Sequence, residues 1–447
     1  MNRKLLNFFI ILVVGHCTYA QNISQSPYSR FGVGELQSQC FTSQNAMGQT
    51  GQGLRTTAGV NPLNPASYSA FMYTSYEAGV MINSAQQTNA IYTQKVNNAS
   101  MAYMSLGVPL SLKHKLGAVA GLMPFSSGSY ILDNTVSKIN STVSVRDYVN
   151  GEGNLNRAFM GFGKDFFNKI SLGINFNYIW GSYNNTVASF YPQDSGYFSP
   201  AVINSAGIGS FMLDAGVQFH HAYRRVHDIK GTDTTFKFYS FVLGASGNLP
   251  SKLHGSQSYL YGNTVFTGDP AQIGFWDTIS YNANQKGYIT LPLQYRVGMA
   301  FSRSDRWNIY LDFEQSMWDK FENFGRKEPL ANRTKIAIGY SWVPDRTANL
   351  KKHYLKRIEY RLGARKEKLY YLINNKQIEE MSFSGGVSLP VLIPKGSAMP
   401  NESARLHISF DYTQRGANSN QLVLENVWRI YFGITFTDKW FTQRKIY

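Results

Sequence analysis

Residues Ile170-Ser171-Leu172-Gly173-Ile174-Asn175-Phe176-Asn177-Tyr178 carry the clearest structural signal in this chain. Every second side chain is large and apolar, and the residues between them are serine, glycine or asparagine. Successive side chains of a β-strand point to opposite faces, so this period of two predicts a strand with one apolar and one polar face. The same alternation recurs along Leu406–Tyr412 and Trp428–Phe436. We therefore expect an all-β chain.

The composition indicates where the apolar faces point. The 447 residues include 29 Tyr and 29 Phe, and only 16% are charged, against about 25% in ordinary globular proteins. Such a chain is too apolar to be disordered. Length alone would suggest about two to four soluble domains. The scarcity of charge argues instead that much of the apolar surface faces something other than water.

The N-terminus predicts export. Arg3 and Lys4 precede the apolar run Leu5–Val14, and Thr18-Tyr19-Ala20 offers a cleavage site before Gln21. We assign residues 1–20 to a signal peptide. A membrane anchor is the alternative, but the run is too short to cross about 30 Å of hydrocarbon as a helix.

The formal charge of +16 needs negative partners. Nucleic acid is not expected, because the basic residues are dispersed and an exported chain meets no genome. Outer-membrane lipid and lipopolysaccharide are the expected counter-charges. The mature chain keeps one cysteine, Cys40, which cannot close an internal disulfide and is interpreted as a buried or inert thiol.

Alternation alone fits two architectures. A soluble sandwich turns its apolar faces inward, whereas an outer-membrane barrel turns them toward lipid. Beyond residue 20 no apolar run reaches the length of a membrane-spanning helix. The strand count favours a transmembrane antiparallel β-barrel of about 14 strands, an even number with many strands long enough to cross a bilayer. We place them at 74–83, 99–110, 116–124, 153–164, 170–180, 206–220, 236–249, 288–302, 307–318, 332–342, 357–369, 380–391, 404–415 and 427–438.

Connections and tryptophans support the barrel. Short connections alternate with long ones at 125–152, 181–205, 250–287 and 319–331, as expected of periplasmic turns and external loops. The connections at 221–235, 343–356 and 392–403 are longer than that rule prefers.

Six tryptophans fall at or beyond predicted strand ends, where a barrel carries its aromatic girdles. They are Trp180, Trp307, Trp318, Trp342, Trp428 and Trp440.

The C-terminal strand is aromatic-rich and is followed by Asp438-Lys439-Trp440-Phe441. This resembles the signal that the barrel-assembly machinery reads during biogenesis, although residues through Tyr447 depart from barrels that stop at a terminal Phe. We assign residues 74–441 to the transmembrane barrel and 442–447 to a short periplasmic tail.

Two regions resemble the FadL-type outer-membrane transporters of long-chain fatty acids and aromatic hydrocarbons. Residues 45–71 contain Asn64-Pro65-Ala66 immediately before the first strand, which is similar to the family's NPA segment. Residues 291–313 are similar to a later pair of strands through Leu291-Pro292, Arg296, Gly298, Trp307 and Asp312. Fourteen strands is also the family's number. Residues Ser26–Gly32 look like the opening of many barrels from Bacteroidota, a Gram-negative lineage.

The resemblance implies that residues 21–73 form an N-terminal plug inside the barrel. Their Gly and small polar residues fit, as do Pro62 and Pro65, which block regular structure. A loose periplasmic extension is the alternative. In that family the ligand leaves sideways through a kinked early strand. Gly117, Gly121 and Pro124 would form such a lateral opening here, unless the two glycines only let the plug pack closely against the wall.

Charged residues are predicted to face the lumen as a cluster. They are Asp312 and Glu314 on the ninth strand, Arg357, Glu359 and Arg361 on the eleventh, and Arg405, His407 and Asp411 on the thirteenth. They either pair across the ladder and rigidify the wall, or receive an anionic head group such as a carboxylate.

Enzymatic activity is not expected, because no Ser-His-Asp order and no convincing zinc spacing stands out. No cofactor is expected.

We interpret the chain as a passive outer-membrane channel for hydrophobic or amphipathic, fatty-acid-like small molecules. The alternative is a docking subunit of an outer-membrane secretion or assembly complex, as some relatives are in type IX secretion. A stoichiometric protein partner would favour the second hypothesis.

Overall fold

The computed structural model describes residues 26–89, 93–139, 143–191, 197–230, 233–265, 274–303, 306–349, 352–391, 404–417 and 422–440. The predicted signal peptide at 1–20, the tail at 442–447 and the connection at 392–403 lie outside these residues. No helix in the described part of the chain is both long and apolar enough to cross a membrane.

Strands dominate the described residues. In chain order they are β1 Glu35–Leu36, β2 Thr74–Thr88, β3 Thr93–Ser111, β4 Leu116–Ile139, β5 Val143–Phe166, β6 Ile170–Phe190, β7 Ser199–Lys230, β8 Asp233–Asn248, β9 Ser251–Val265, β10 Gly274–Leu291, β11 Gln294–Arg303, β12 Trp307–Ser316, β13 Glu322–Asn323, β14 Arg326–Lys327, β15 Arg333–Trp342, β16 Glu359–Ile373, β17 Lys376–Val391, β18 Ala404–Arg415 and β19 Leu424–Asp438. Short helical turns lie at Pro27–Arg30, Thr42–Asn45, Pro65–Ala70, Trp318–Lys320 and Tyr354–Arg357.

Fourteen strands close a barrel. β2–β8, β11, β12 and β15–β19 pair antiparallel in this order, and β19 pairs back onto β2 along its whole length. Closure satisfies the edge groups that an open sheet would leave exposed in lipid. The predicted fold is confirmed, and each predicted strand overlaps one barrel strand. Several boundaries were wrong. The segment predicted at 288–302 is the end of β10 and β11, separated at Pro292. The regions 125–152 and 181–205 were predicted as long external loops, but β4 to β7 extend into them because their ladders continue past the apolar alternation.

The barrel wall has an apolar outer face and a polar inner face, as β6 shows. Leu172, Phe176 and their apolar neighbours on β6 point outward and are exposed. Ser171, Asn175 and Asn177 alternate with them and are 0% exposed. This inverts the arrangement of a soluble sandwich and fits a barrel wall against lipid.

The two ends of the barrel differ. The start of β2 and the end of β19 lie together at one end, which we call the near end, and the opposite end is the far end. At the far end β9 and β10 form a hairpin that pairs with Ser199–Ile208 of β7. The sequence predicted only a long loop at 250–287, because a hairpin with water on both faces needs no apolar alternation. At the near end β7 and β8 extend as a hairpin where a loop at 221–235 was predicted.

The tryptophans follow the girdle prediction only in part. Trp342, Trp428 and Trp440 are exposed. Trp318 is buried instead, and its ring stacks on Tyr370 with the centroids 4.1 Å apart. Trp318 lies in a cluster of buried apolar side chains at the far end, because the chain turns inward after β12.

Candidate functional site

Residues 26–73 run through the interior of the barrel, and we call them the inner segment. The amide of Gly48 donates to Ser384 on β17 at 2.9 Å, and that of Gly51 donates to Asp312 on β12 at 2.6 Å. Gln218 on β7 donates to the carbonyl of Gln52 at 2.8 Å. These strands lie on different sides of the ring, so the segment occupies the lumen.

Asn64, Pro65 and Ala66 are wedged against the wall. The Asn64 carboxamide accepts from the amide of Ala66 at 3.1 Å and donates to the carbonyl of Val217 at 3.2 Å. Asn64 therefore caps the turn that follows and fastens it to β7. A Cβ on Gly173 of β6 would lie 2.3 Å from the carbonyl carbon of Pro65. Only glycine lets the two backbones approach this closely.

The wall between β3 and β4 is paired over only part of its height. Their ladder ends at Met104–Leu122, although both strands continue toward the far end. Beyond that point the inner segment takes the free edge of β4: β1 pairs with Ser126 and Ser127, and the amide of Gln37 donates to the carbonyl of Phe125 at 3.0 Å. The gap in the wall is therefore covered from inside.

Of the residues predicted to form a lateral opening, Gly121 and Pro124 lie beside this gap, whereas Gly117 pairs with Pro109 inside the ladder. A Cβ on Gly117 would lie 2.0 Å from the carbonyl oxygen of Tyr68, and one on Gly121 would lie 2.7 Å from the ring of Phe159. Both glycines therefore serve close packing. Pro124 precedes an irregularity in the pairing of β4 with β5. An apolar cluster backs the gap, formed by Phe41, Val60, Tyr68, Phe71, Tyr103, Val119, Met123 and Phe159.

The predicted lumen charge cluster divides into separate groups. Asp312 accepts hydrogen bonds from the inner segment. Glu314 pairs with Arg333, with Lys335 at 2.9 Å and with Arg296 at 3.2 Å. A third group contains Asp411, which pairs with Arg365 at 2.5 Å. The remaining members, Arg357, Glu359, Arg361, Arg405 and His407, lie at the near end.

The far half of the lumen is braced by buried ion pairs that sequence reasoning missed. Glu35 of the inner segment meets Arg415 at 2.6 Å and Arg429 at 3.1 Å. Arg415 also meets Glu380 at 2.8 Å. A cavity of about 120 Å³ lies among these charges. Arg415 lies four residues after Asp411 on β18, so the period of two places both side chains on the inward face and could have predicted Arg415 as a lumen residue. Glu35 lies outside any alternating stretch, so the sequence gives no signal for it.

The near-end group surrounds a larger cavity of about 810 Å³. Glu359 pairs with Arg361 at 2.9 Å and with Arg405 at 3.3 Å. His407 bridges the hydroxyls of Ser388 and Thr435 at 2.5 and 2.9 Å. Arg357 was predicted on a strand but ends the helical turn that precedes β16, because the strand begins only where the chain enters the wall.

A family profile described as BamG matches residues 1–447. The chain belongs to the BamG family. No curated protein matches it.

Solved barrels share the fold. A Pseudomonas aeruginosa FadL homologue is 11% identical, with a TM-score of 0.57, over 91% of this chain and 99% of its own. The Pseudomonas putida toluene transporter TodX is 15% identical, with a TM-score of 0.55, over 91% and 99%. The Ralstonia pickettii toluene transporter TbuX is 12% identical, with a TM-score of 0.52, over 90% and 99%. The chain thus has a FadL-type fold.

Within the described residues, no three His, Cys, Asp or Glu side chains are arranged to hold a metal ion. Cys40 is buried in the inner segment, and burial raises the pKa of its thiol to about 11. A thiol with such a pKa carries little thiolate at neutral pH, so the arrangement suits a structural rather than a reactive cysteine.

Proposed function

We propose that this BamG-family barrel is an accessory subunit of the machinery that assembles barrels in the outer membrane. The profile match over residues 1–447 carries the proposal, since the family's name associates it with that machinery. The proposal includes export by the signal peptide at 1–20, an outer-membrane location among lipid and lipopolysaccharide, and a near end that faces the periplasm.

The filled interior supports a role without conduction. The inner segment, which we propose acts as a plug, is tied to the wall by Glu35 and by Asp312. Removing one partner of a buried ion pair costs about 3–5 kcal/mol. A route through the far half of the lumen therefore requires the pairs of Glu35 with Arg415 and Arg429 to separate.

Depletion of the protein in its own cells tests the proposal. We expect other outer-membrane barrels to decline together, with unfolded forms accumulating in the periplasm, as quantified by proteomics of separated membranes. A depletion strain that keeps every other barrel at its normal level would contradict an accessory role.

The gap between β3 and β4 favours a second candidate function, the passive uptake of hydrophobic or amphipathic molecules. Apolar side chains including Tyr103 and Met123 lie behind the gap, and solved barrels of this fold are named as toluene transporters. In this case Gly121 and Pro124 border the lateral exit, Gly117 lies farther along β4 within the paired ladder, and a ligand would displace the contacts of β1.

Binding of a fluorescent fatty acid to the purified barrel tests the second candidate. Met123→Gln places an amide in the apolar cluster behind the gap and should weaken binding at least tenfold. Met212→Gln is the matched control, because Met212 is also buried but belongs to another cluster. Equal affinities for both variants, or no binding to the unmodified protein, would exclude uptake through the gap.

A further inference from the structure

The cavity at the near end is built as a cationic vestibule. Arg55, Arg346, Arg357, Arg361 and Arg405 line it. They come from the inner segment, the connection between β15 and β16, and strands β16 and β18. Sequence spacing alone does not bring these separate parts of the chain together.

The vestibule has more positive than negative side chains. Its described lining contains two carboxylates, Glu77 and Glu359, against five guanidinium groups. Both carboxylates are already engaged: Glu77 accepts from the amide of Val60 at 2.6 Å, and Glu359 pairs with Arg361 and Arg405. Asp345, beside Arg346, accepts hydrogen bonds from Thr347. Among the described residues of the lining, guanidinium groups therefore outnumber carboxylates.

One buried donor in the vestibule lacks an acceptor. Arg361 is 8% exposed, and its Nε has no hydrogen-bond partner among the described residues. An unmatched buried donor costs about 1–3 kcal/mol. An acceptor that enters the vestibule would recover part of this cost.

We propose that the vestibule binds an acidic peptide segment of a protein partner, whose carboxylates pair with Arg346, Arg357 and Arg405. This rests on the proposed accessory role, in which the near end faces the periplasm. Guanidinium groups bind carboxylates through paired, charge-assisted hydrogen bonds. The hydroxyls of Thr56, Thr57 and Thr437 add donors along the lining.

The size and position of the vestibule favour a peptide over a lipid head group or free phosphate. A volume of about 810 Å³ exceeds the needs of a single phosphate and accepts several extended residues. The cavity lies inside the barrel ring, whereas the acyl chains of a phospholipid stay outside the wall. A peptide can enter from the water at the near end.

Fluorescence anisotropy of labelled hexaglutamate with the purified full-length barrel in non-ionic detergent tests the proposal. We expect saturable binding that weakens as NaCl rises, because exposed charges are screened. Arg346→Gln with Arg405→Gln should weaken binding at least tenfold. Arg346→Gln alone, on an exposed connection, should weaken it severalfold without disturbing the wall.

Lys366→Gln with Lys368→Gln is the matched control, because it removes two exposed positive charges near the far end of β16. Binding to this control should be unchanged. No saturable binding, or an equal loss in the control, would overturn the proposal. Displacement by inorganic phosphate or phosphatidylglycerol bicelles at lower concentration than hexaglutamate would assign the site to phosphate groups instead. Failure of the accessory role would appear in the depletion strain, not in this affinity.

Discussion

The alternation of side chains along a strand predicts which face a residue lies on, but not which residues it contacts. Alternation placed Ser171 and Asn175 on the inner face and Phe176 on the outer face, as the structure has them. It also placed Asp312 and Asp411 in the lumen. It could not assign their partners, because Gly51 lies on the inner segment and Arg365 reaches Asp411 across the intervening strand β17.

Gly173→Ala should destabilise the barrel by about 1–3 kcal/mol, the usual cost of overpacking. The new Cβ would overlap the carbonyl of Pro65. Gly207→Ala on the next strand is the control, because a Cβ there meets nothing within 4 Å. Urea unfolding in detergent, followed by tryptophan fluorescence, measures both variants. Equal stability of the two would show that Pro65 does not press on β6.

Cys40 should resist maleimide in the folded protein at pH 7 and react fully once the chain is unfolded. Burial both shields the thiol and raises its pKa to about 11, so little thiolate forms. Mass spectrometry after timed labelling follows the modification. Rapid labelling of the folded barrel would mean that the inner segment leaves the lumen open around Cys40.

β-Strands were predictable from the sequence where one face of the strand meets lipid and the other face does not, because apolar and polar side chains then alternate. All fourteen barrel strands have this alternation. The β9–β10 hairpin was missed because residues such as Thr278–Asn282 are exposed on both faces. β1 was missed because two residues carry no period, and it becomes a strand only by covering the edge that β3 leaves free on β4.

Glu35→Ala should loosen β1 from β4, since it leaves Arg415 and Arg429 short of a buried partner at a cost of about 3–5 kcal/mol. Hydrogen exchange of the peptide containing Phe125–Ser127 should become faster. Glu379→Ala is the control, because that exposed carboxylate also has two basic neighbours but is worth about 0–1 kcal/mol. Unchanged exchange in Glu35→Ala would show that β1 is held by its backbone alone.

At the scale of the whole molecule, the lipid-facing wall accounts for the surplus of aromatic residues and the scarcity of charge. Many of the charged side chains line the lumen, where they contact water or each other. They lie among the buried ion pairs of the far half and around the near-end vestibule. The fold is shared with solved toluene transporters, whereas the family is BamG. Fold alone does not decide function, so the partners of the intact protein must be measured.

Purification of the tagged protein from its own membranes in mild detergent, with quantitative mass spectrometry, tests the accessory role most directly. An equally abundant barrel of another family, tagged in the same way, is the control. We expect stoichiometric recovery of the central barrel-assembly subunit with this protein and not with the control. Recovery of a lone barrel in several mild detergents would contradict it.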